Sequence, residues 1–151
     1  MSVTVRVPME QFAKVMDQFP KYSDDYLRAV GNRLRKLLPG TIQSMLGPYS
    51  KGRLARSARA YVSRKGVEIQ IGEGVEHAPY VFGGVGLHTM DQKAAGKTWP
   101  MRWTHAGGSG VAWKVKHPGQ RARQDILDVI RALAVQVALE EFVIFEAMGV
   151  T

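Results

Sequence analysis

The chain has 151 residues, 45% of them hydrophobic, and a formal net charge of +8. That length fits one domain with its own core, and the absence of cysteine excludes disulfides, thiolate-rich zinc sites and cysteine nucleophiles. No basic segment followed by an apolar one opens the chain, so no signal peptide is expected, and no apolar run reaches the about 18 residues of a membrane span.

Val3, Val5 and Val7 alternate with Thr4 and Arg6, which predicts a short strand or arm ended by Pro8. Phe12, Val15, Met16 and Phe19 recur at helical spacing before Pro20. Ser23 is placed to cap the next helix, with Asp24 and Asp25 at its positive end. Leu27, Val30, Leu34 and Leu38 form a buried stripe that Ile42 and Met45 continue past Pro39. The spacing predicts one long helix over 24–46, kinked at Pro39-Gly40, or two separate helices, with Gly47-Pro48 as the stop.

A β-rich segment follows. Gly52-Arg53-Leu54-Ala55-Arg56-Ser57 is expected to open a strand over 54–63. Lys65-Gly66 supplies a turn, and Val67, Ile69 and Ile71 alternate with Glu68 and Gln70, completing a hairpin. Residues 83–97 carry four glycines and no period, which predicts a long loop of the kind that binds something or orders on assembly. Trp99, Met101 and Trp103 alternate, as do Val111, Trp113 and Val115, so a second hairpin is expected around the tip 106–110. Pro100 favours an edge position for it. After Pro118-Gly119 a helix is predicted over 121–147, with Ile126, Ile130, Leu133, Val137 and Ile144 on one side. Val129, Val143 and Phe145 widen its apolar surface, so it needs burial on more than one side. The expected fold is α+β: a small antiparallel sheet of two hairpins packed against a long kinked helix and a C-terminal helix. One domain over 1–151 would carry a loop or hairpin insertion at about 83–110.

The charge is unevenly placed. No acid lies between Leu27 and Val67, a stretch that holds Arg53, Arg56, Arg59, Arg64 and Lys65. A second acid-free stretch follows Asp91, and the C-terminal part reverses sign with Asp125, Asp128, Glu140, Glu141 and Glu146 against Arg131. Such asymmetry suggests head-to-tail contact between copies or contact with a polyanion, beside the plain alternative of a solvated basic surface.

No constellation for chemistry emerges. His77, His88, His105 and His117 lack the spacing of a helical zinc pair. Gly83-Gly84-Val85-Gly86 is followed by no Gly-Lys-Ser/Thr, and Ser57 lacks a nucleophile-elbow context. Asp125 and Asp128 suit the positive end of a helix better than an acid–base pair. Trp99, Arg102 and Trp103 mix aromatic and basic residues as single-strand binders do, although their alternation suits a sheet core or a subunit interface. No catalytic residue, cofactor or metal is expected.

Three short signatures remain: Gly52-Arg53-Leu54-Ala55-Arg56-Ser57, then Ala78-Pro79-Tyr80-Val81-Phe82-Gly83-Gly84, then His117-Pro118-Gly119. In this order, between a long basic helix and a final amphipathic one, the chain resembles the tail-completion, or head–tail joining, proteins of long-tailed bacteriophages over about residues 24–145. It departs from their pattern at Val81-Phe82-Gly83-Gly84, where that family carries an acidic residue and Gly-Thr after its tyrosine. The region before His117 is also longer than usual. The resemblance implies a ring in the virion neck, of six copies, between a head-side connector and a tail terminator or tail-tube protein. It implies assembly in the host bacterial cytoplasm, no membrane partner and no catalysis. Trp99, Met101, Trp103, Trp113, Phe142 and Phe145 are candidates for the subunit interface. Arg53, Arg56, Arg59, Arg64 and Lys65 are candidates for facing a DNA channel or a partner, touching packaged double-stranded DNA without sequence preference. The rival reading is a basic nucleic-acid-binding module built on those same five residues.

Overall fold

The computed structural model describes residues 2–18, 20–47, 50–86, 88–105, 108–117, 119 and 121–148. Among them run β1 (Val3–Pro8), α1 (Glu10–Gln18), α2 (Ser23–Leu46), α3 (Arg53–Arg56), β2 (Arg59–Ser63) and β3 (Gly66–Ile71). These are followed by α4 (Ala78–Gly83), β4 (His88–Asp91), β5 (Met101–His105), β6 (Gly108–Ala112), β7 (Lys114–His117) and α5 (Gln124–Ala147). The fold is α+β, with a long helix and a C-terminal helix over a small antiparallel sheet.

That sheet has three strands in the order β1-β3-β2. The N-terminal valines are therefore a sheet strand and not a free arm. The register sets Val5 opposite Ile69 and Val7 opposite Val67, while Ala60 also faces Ile69 from the other side. Because side chains alternate across a strand, one face gathers Val5, Val7, Ala60, Val67, Ile69 and Ile71, all buried. The other face carries Arg6, whose Nε donates to Glu68 at 3.1 Å. Gly66 is fixed by space as well as by the turn. Its φ is +145°, and a Cβ there would lie 2.2 Å from the Val7 carbonyl oxygen.

Helix α2 lies against β2 and α5, and α5 also touches β1. Tyr26, Val30, Leu34, Leu38 and Ile42 line the buried side of α2, meeting Ile126, Ile130, Ala134 and Val137 of α5. Phe12 of α1 closes the end of this core, edge-on to Tyr26 at 5.6 Å between ring centres. Helix α2 runs unbroken through Pro39, so the two-helix alternative does not hold. Ser23 does not cap it. Ser23 is the first helical residue, and its Oγ donates to the Pro20 carbonyl at 3.0 Å. Phe19 and the side chains of Val15 and Met16 lie outside the described residues.

Four further expectations are corrected. The Gly52–Ser57 signature opens a single helical turn rather than a strand. Gly52 at φ +76° starts it, Arg56 N donates to Gly52 O at 2.9 Å, and strand β2 begins only at Arg59. The span 83–97 is not all loop, since His88–Asp91 forms β4 and pairs with β7. The second hairpin is β5 with β6, and its return strand breaks at Trp113, after which β7 turns to a different partner. Helix α5 starts at Gln124, later than expected. The insertion is therefore an arm over 88–117, with the β5–β6 ribbon nested inside the β4–β7 ribbon. It forms sheets of its own rather than extending the central one, and among the described residues no arm side chain belongs to the core.

Candidate assembly surfaces

The three signatures, distant in sequence, meet at one corner. Ser57 Oγ accepts from Gly72 N at 2.8 Å, which ties α3 to the end of β3. Gly72 has a φ of +93°, and a Cβ on it would stand 2.3 Å from the Ala78 Cβ, so the chain passes tightly into α4. Val81 O accepts from Arg123 N at 2.9 Å, and Phe82 O accepts from Gln124 Nε2 at 2.7 Å, which docks α4 on the start of α5. Gly119 sits against Val85 and Gly86, where a Cβ would come within 2.2 Å of the Val85 carbonyl oxygen. Arg123 completes the corner. Its Nη2 donates to Met45 O at 3.0 Å and its Nε to Asp125 at 3.0 Å. That hydrogen bond holds the Asp125 carboxyl below the usual range and raises Arg123. Through its described residues each signature thus contributes to a joint between elements.

The outer side of α5 carries a run of exposed apolar side chains. Val129, Val135, Leu139 (49% exposed) and Val143 (61%) face away from the core stripe, and Ile144, on that stripe near the helix end, is also exposed. The expectation that this helix needs burial on more than one side is met within the chain on one side only. Val135 and Leu139 also line a groove of about 230 Å³ between α1 and α5, together with Met9, Tyr26 and Phe142, with Lys14 and Gln18 at its edge. Val135, Leu139 and Val143 stand four apart, a periodicity opposite to the core stripe that would have marked this face in the sequence.

The arm is the second such surface. Trp99 is 60% exposed and lies outside any strand, so it is not a core residue; Val111 is equally exposed and Trp113 is 38% exposed. Lys97 Nζ sits 5.8 Å from the Trp99 ring centre, and Lys93 Nζ 5.2 Å from that of Trp113. Met101 is half-buried, and the Trp103 side chain lies outside the described residues. Of the other interface candidates, Phe145 packs edge-on against Tyr26 at 5.7 Å within its own chain. Phe142 packs partly on the core while lining the groove.

The five basic candidates do not form one patch. Arg53, Arg56 and Arg59 gather around α3 with Lys51. Arg56 donates to Lys51 O at 3.3 Å and Arg59 to Arg56 O at 2.8 Å. Arg64 and Lys65 occupy the far end of the β2–β3 hairpin, about 17 Å further on at the rise of an antiparallel strand. Among the described residues, neither group forms an ion pair with a carboxylate.

A polar cluster that sequence reasoning missed joins the two long helices. Arg33 of α2 donates to Glu140 and, at 3.3 Å, to Glu141 of α5. Glu141 is 7% exposed, and Arg33 is raised by its two partners. Glu140 is lowered, by Gln136 first and by Arg33 second. Nearby, the Tyr26 hydroxyl donates to Ala138 O at 2.7 Å. Burial, with Glu141 as the second cause, pushes Tyr26 up to about 12. Nothing in the sequence pairs position 33 with 140 and 141; only the α2–α5 crossing does. Among the described residues no group of three or more histidines and carboxylates is placed to hold a metal ion. No family model, curated protein or solved structure matches the chain.

Proposed function

We propose that this chain is a structural subunit of the neck of a long-tailed bacteriophage, one of six copies in a ring that joins the head-side connector to the tail. The observation that carries the reading is the outer side of α5, an apolar helix face left in water by the chain's own fold. Exposed apolar surface of this kind is characteristic of a subunit that completes its burial on assembly. The interlocking of the three signatures at one corner adds support, because segments that carry the resemblance act together as joints. In this reading the chain performs no catalysis, needs no cofactor, and meets the connector on one side and a tail terminator or tail-tube protein on the other. The test is electron microscopy of purified virions carrying a label on this chain. Label at the head–tail junction is expected; label confined to the capsid shell or tail tip refutes the reading.

A second reading is favoured by the cluster of Lys51, Arg53, Arg56 and Arg59, which has no carboxylate partner among the described residues. It is a surface for nucleic-acid phosphates, either in a DNA passage or in a free-standing binding module. Four phosphate contacts give a slope of about −3.6 in log affinity against log salt. Arg56→Ala with Arg59→Ala then lowers the slope by about 2. Tight sequence-selective binding at physiological salt favours the module over the neck subunit.

A further inference from the structure

We infer that the arm of one copy docks on the outer side of α5 of a second copy, with Trp99 seated in the groove between α1 and α5. The inference rests on the assembly reading above and names the two surfaces that meet. Three features select a second copy as the occupant.

The first is charge. Between His88 and His117 the arm carries five lysines and arginines against Asp91 alone, and only Lys114 reaches that acid, at 3.9 Å. Lys93, Lys97, Arg102 and Lys116 form no ion pair among the described residues. Helix α5 carries five acids against Arg131. Arg131 is itself paired to Asp128 at 3.0 Å. The helical spacing puts Asp125, Asp128 and Glu146 on the same side as Val135, Leu139 and Val143. Asp125 is held by Arg123 and Asp128 by Arg131, which leaves Glu146 as the acid of that side outside any ion pair among the described residues. The arm's four cations outside ion pairs complement this weakly acidic side, and their mutual repulsion disfavours arm-to-arm pairing.

The second is shape. Tryptophan is the side chain most enriched at the centre of protein interfaces, where it fills an apolar pocket. Trp99 is an exposed indole, and the groove offers about 230 Å³ walled by Met9, Tyr26, Val135, Leu139 and Phe142. The third is independence. Among the described residues the arm adds no side chain to the core, so docking it elsewhere leaves that packing intact. The two surfaces are different patches, so the contact is head-to-tail, and repetition generates a ring when the rotation closes.

The test is sedimentation velocity of the full chain from about 1 μM to about 1 mM. Wild-type chain is expected to associate. Trp99→Ala and Leu139→Lys are each expected to weaken association by about 30-fold. An equimolar mixture of the two variants is expected to stop at a two-chain complex, since one supplies a groove and the other an arm. Both positions are exposed, so far-UV circular dichroism should match wild type. Excision of 89–116 provides an arm-less variant beside Trp99→Ala. A chain that stays monomeric to about 1 mM overturns the inference, as do variants that associate like wild type or a mixture that forms no heterodimer. Association with this pattern in a chain that microscopy places outside the neck leaves the contact standing and removes only the neck reading.

Discussion

Replacing Gly72 by alanine tests whether the signature corner holds the fold together. Two costs apply. The backbone at φ +93° is a conformation that a Cβ opposes, worth about 1–2 kcal/mol. The new methyl would also stand 2.3 Å from the Ala78 Cβ, whereas carbons in contact settle near about 3.5–4.0 Å. Ala78 is fully buried at the start of α4, so relief requires α4 or the end of β3 to move. Such overpacking costs about 1–3 kcal/mol. The sum, about 2–5 kcal/mol, is a large part of the 5–15 kcal/mol typical of a folded domain (roughly). Gly74→Ala is the control. Its φ is +72°, but nothing lies within 4 Å of the added carbon, so it bears the backbone cost alone. At about 2–4 °C per kcal/mol for a chain of this size, Gly72→Ala should melt about 4–20 °C below wild type and Gly74→Ala about 2–8 °C below. Differential scanning calorimetry of the three chains decides it. Equal melting temperatures for the two variants would show that the tight passage into α4 carries no energetic weight.

Excising 89–116 and closing the gap with two glycines should leave the core standing. His88 and His117 face each other as a strand pair, so the cut ends lie about 4.5–5.5 Å apart. The melting temperature should change by less than about 3 °C, and loss of cooperative unfolding would show that the arm supports the core. Arg33→Ala should cost about 2–3 kcal/mol in urea melts, because it strands the buried Glu141; the partial exposure of Arg33 puts this below the full cost of breaking a buried pair. Arg33→Lys should recover only part of that, since one ammonium does not span two carboxylates as a guanidinium fork does, and full recovery would contradict the two-carboxylate arrangement. Tyr26, raised from 10.0 to about 12, binds its proton more tightly folded than unfolded. Its contribution is therefore complete below pH 10 and lost as the pH climbs through 10 to about 12. Absorbance at 295 nm should show a phase at about 12 that Tyr26→Phe removes, and a wild-type curve without that phase would count against the burial of Tyr26.

The central sheet and both long helices are legible in the sequence because each has a strong period bound to one core. Val67, Ile69 and Ile71 alternate, and Val30, Leu34, Leu38 and Ile42 recur at helical spacing; the structure buries all seven. The turn α3 is not legible. Leu54, Ala58, Ala60 and Val62 alternate as a strand would, while the decision for a helical turn comes from Gly52 and from Ser57 accepting the Gly72 N–H across 15 residues. Strand β4 is invisible for a related reason: His88–Asp91 has no pattern of its own and becomes a strand only through its pairing with Lys114–His117. Periodicity placed Ile126, Ile130, Leu133 and Val137 on one side of α5 but passed over Leu127, Val135 and Leu139, and it could not say which side finds a partner in the same chain. The tryptophans show the same limit. Alternation at 99, 101 and 103 predicts a shared face, yet strand β5 begins at Met101 and leaves Trp99 exposed.

The division between core and arm also decides where association can be altered without disturbing folding. Residues on the inner side of α5, such as Ile130 and Val137, are buried against α2 and the sheet, so substitution there costs stability before it reports on assembly. The groove is mixed ground. Met9 and Tyr26 form its floor and belong to the core, and Tyr26 also holds Ala138 through its hydroxyl. A loss of association in a Tyr26 variant therefore has two causes that a binding assay cannot separate. Leu139 and Val143 differ, because neither belongs to the core cluster and both keep about half or more of their surface in water. Leu139 borders buried Met9 and Tyr26 in the groove, yet a lysine at either position can extend its charge into water in the free chain, whereas in a docked assembly it would be buried against a partner. The free-state cost is then small and the bound-state cost large, and that difference makes these two positions, with Trp99 on the arm, the ones whose substitution reads out contact between copies.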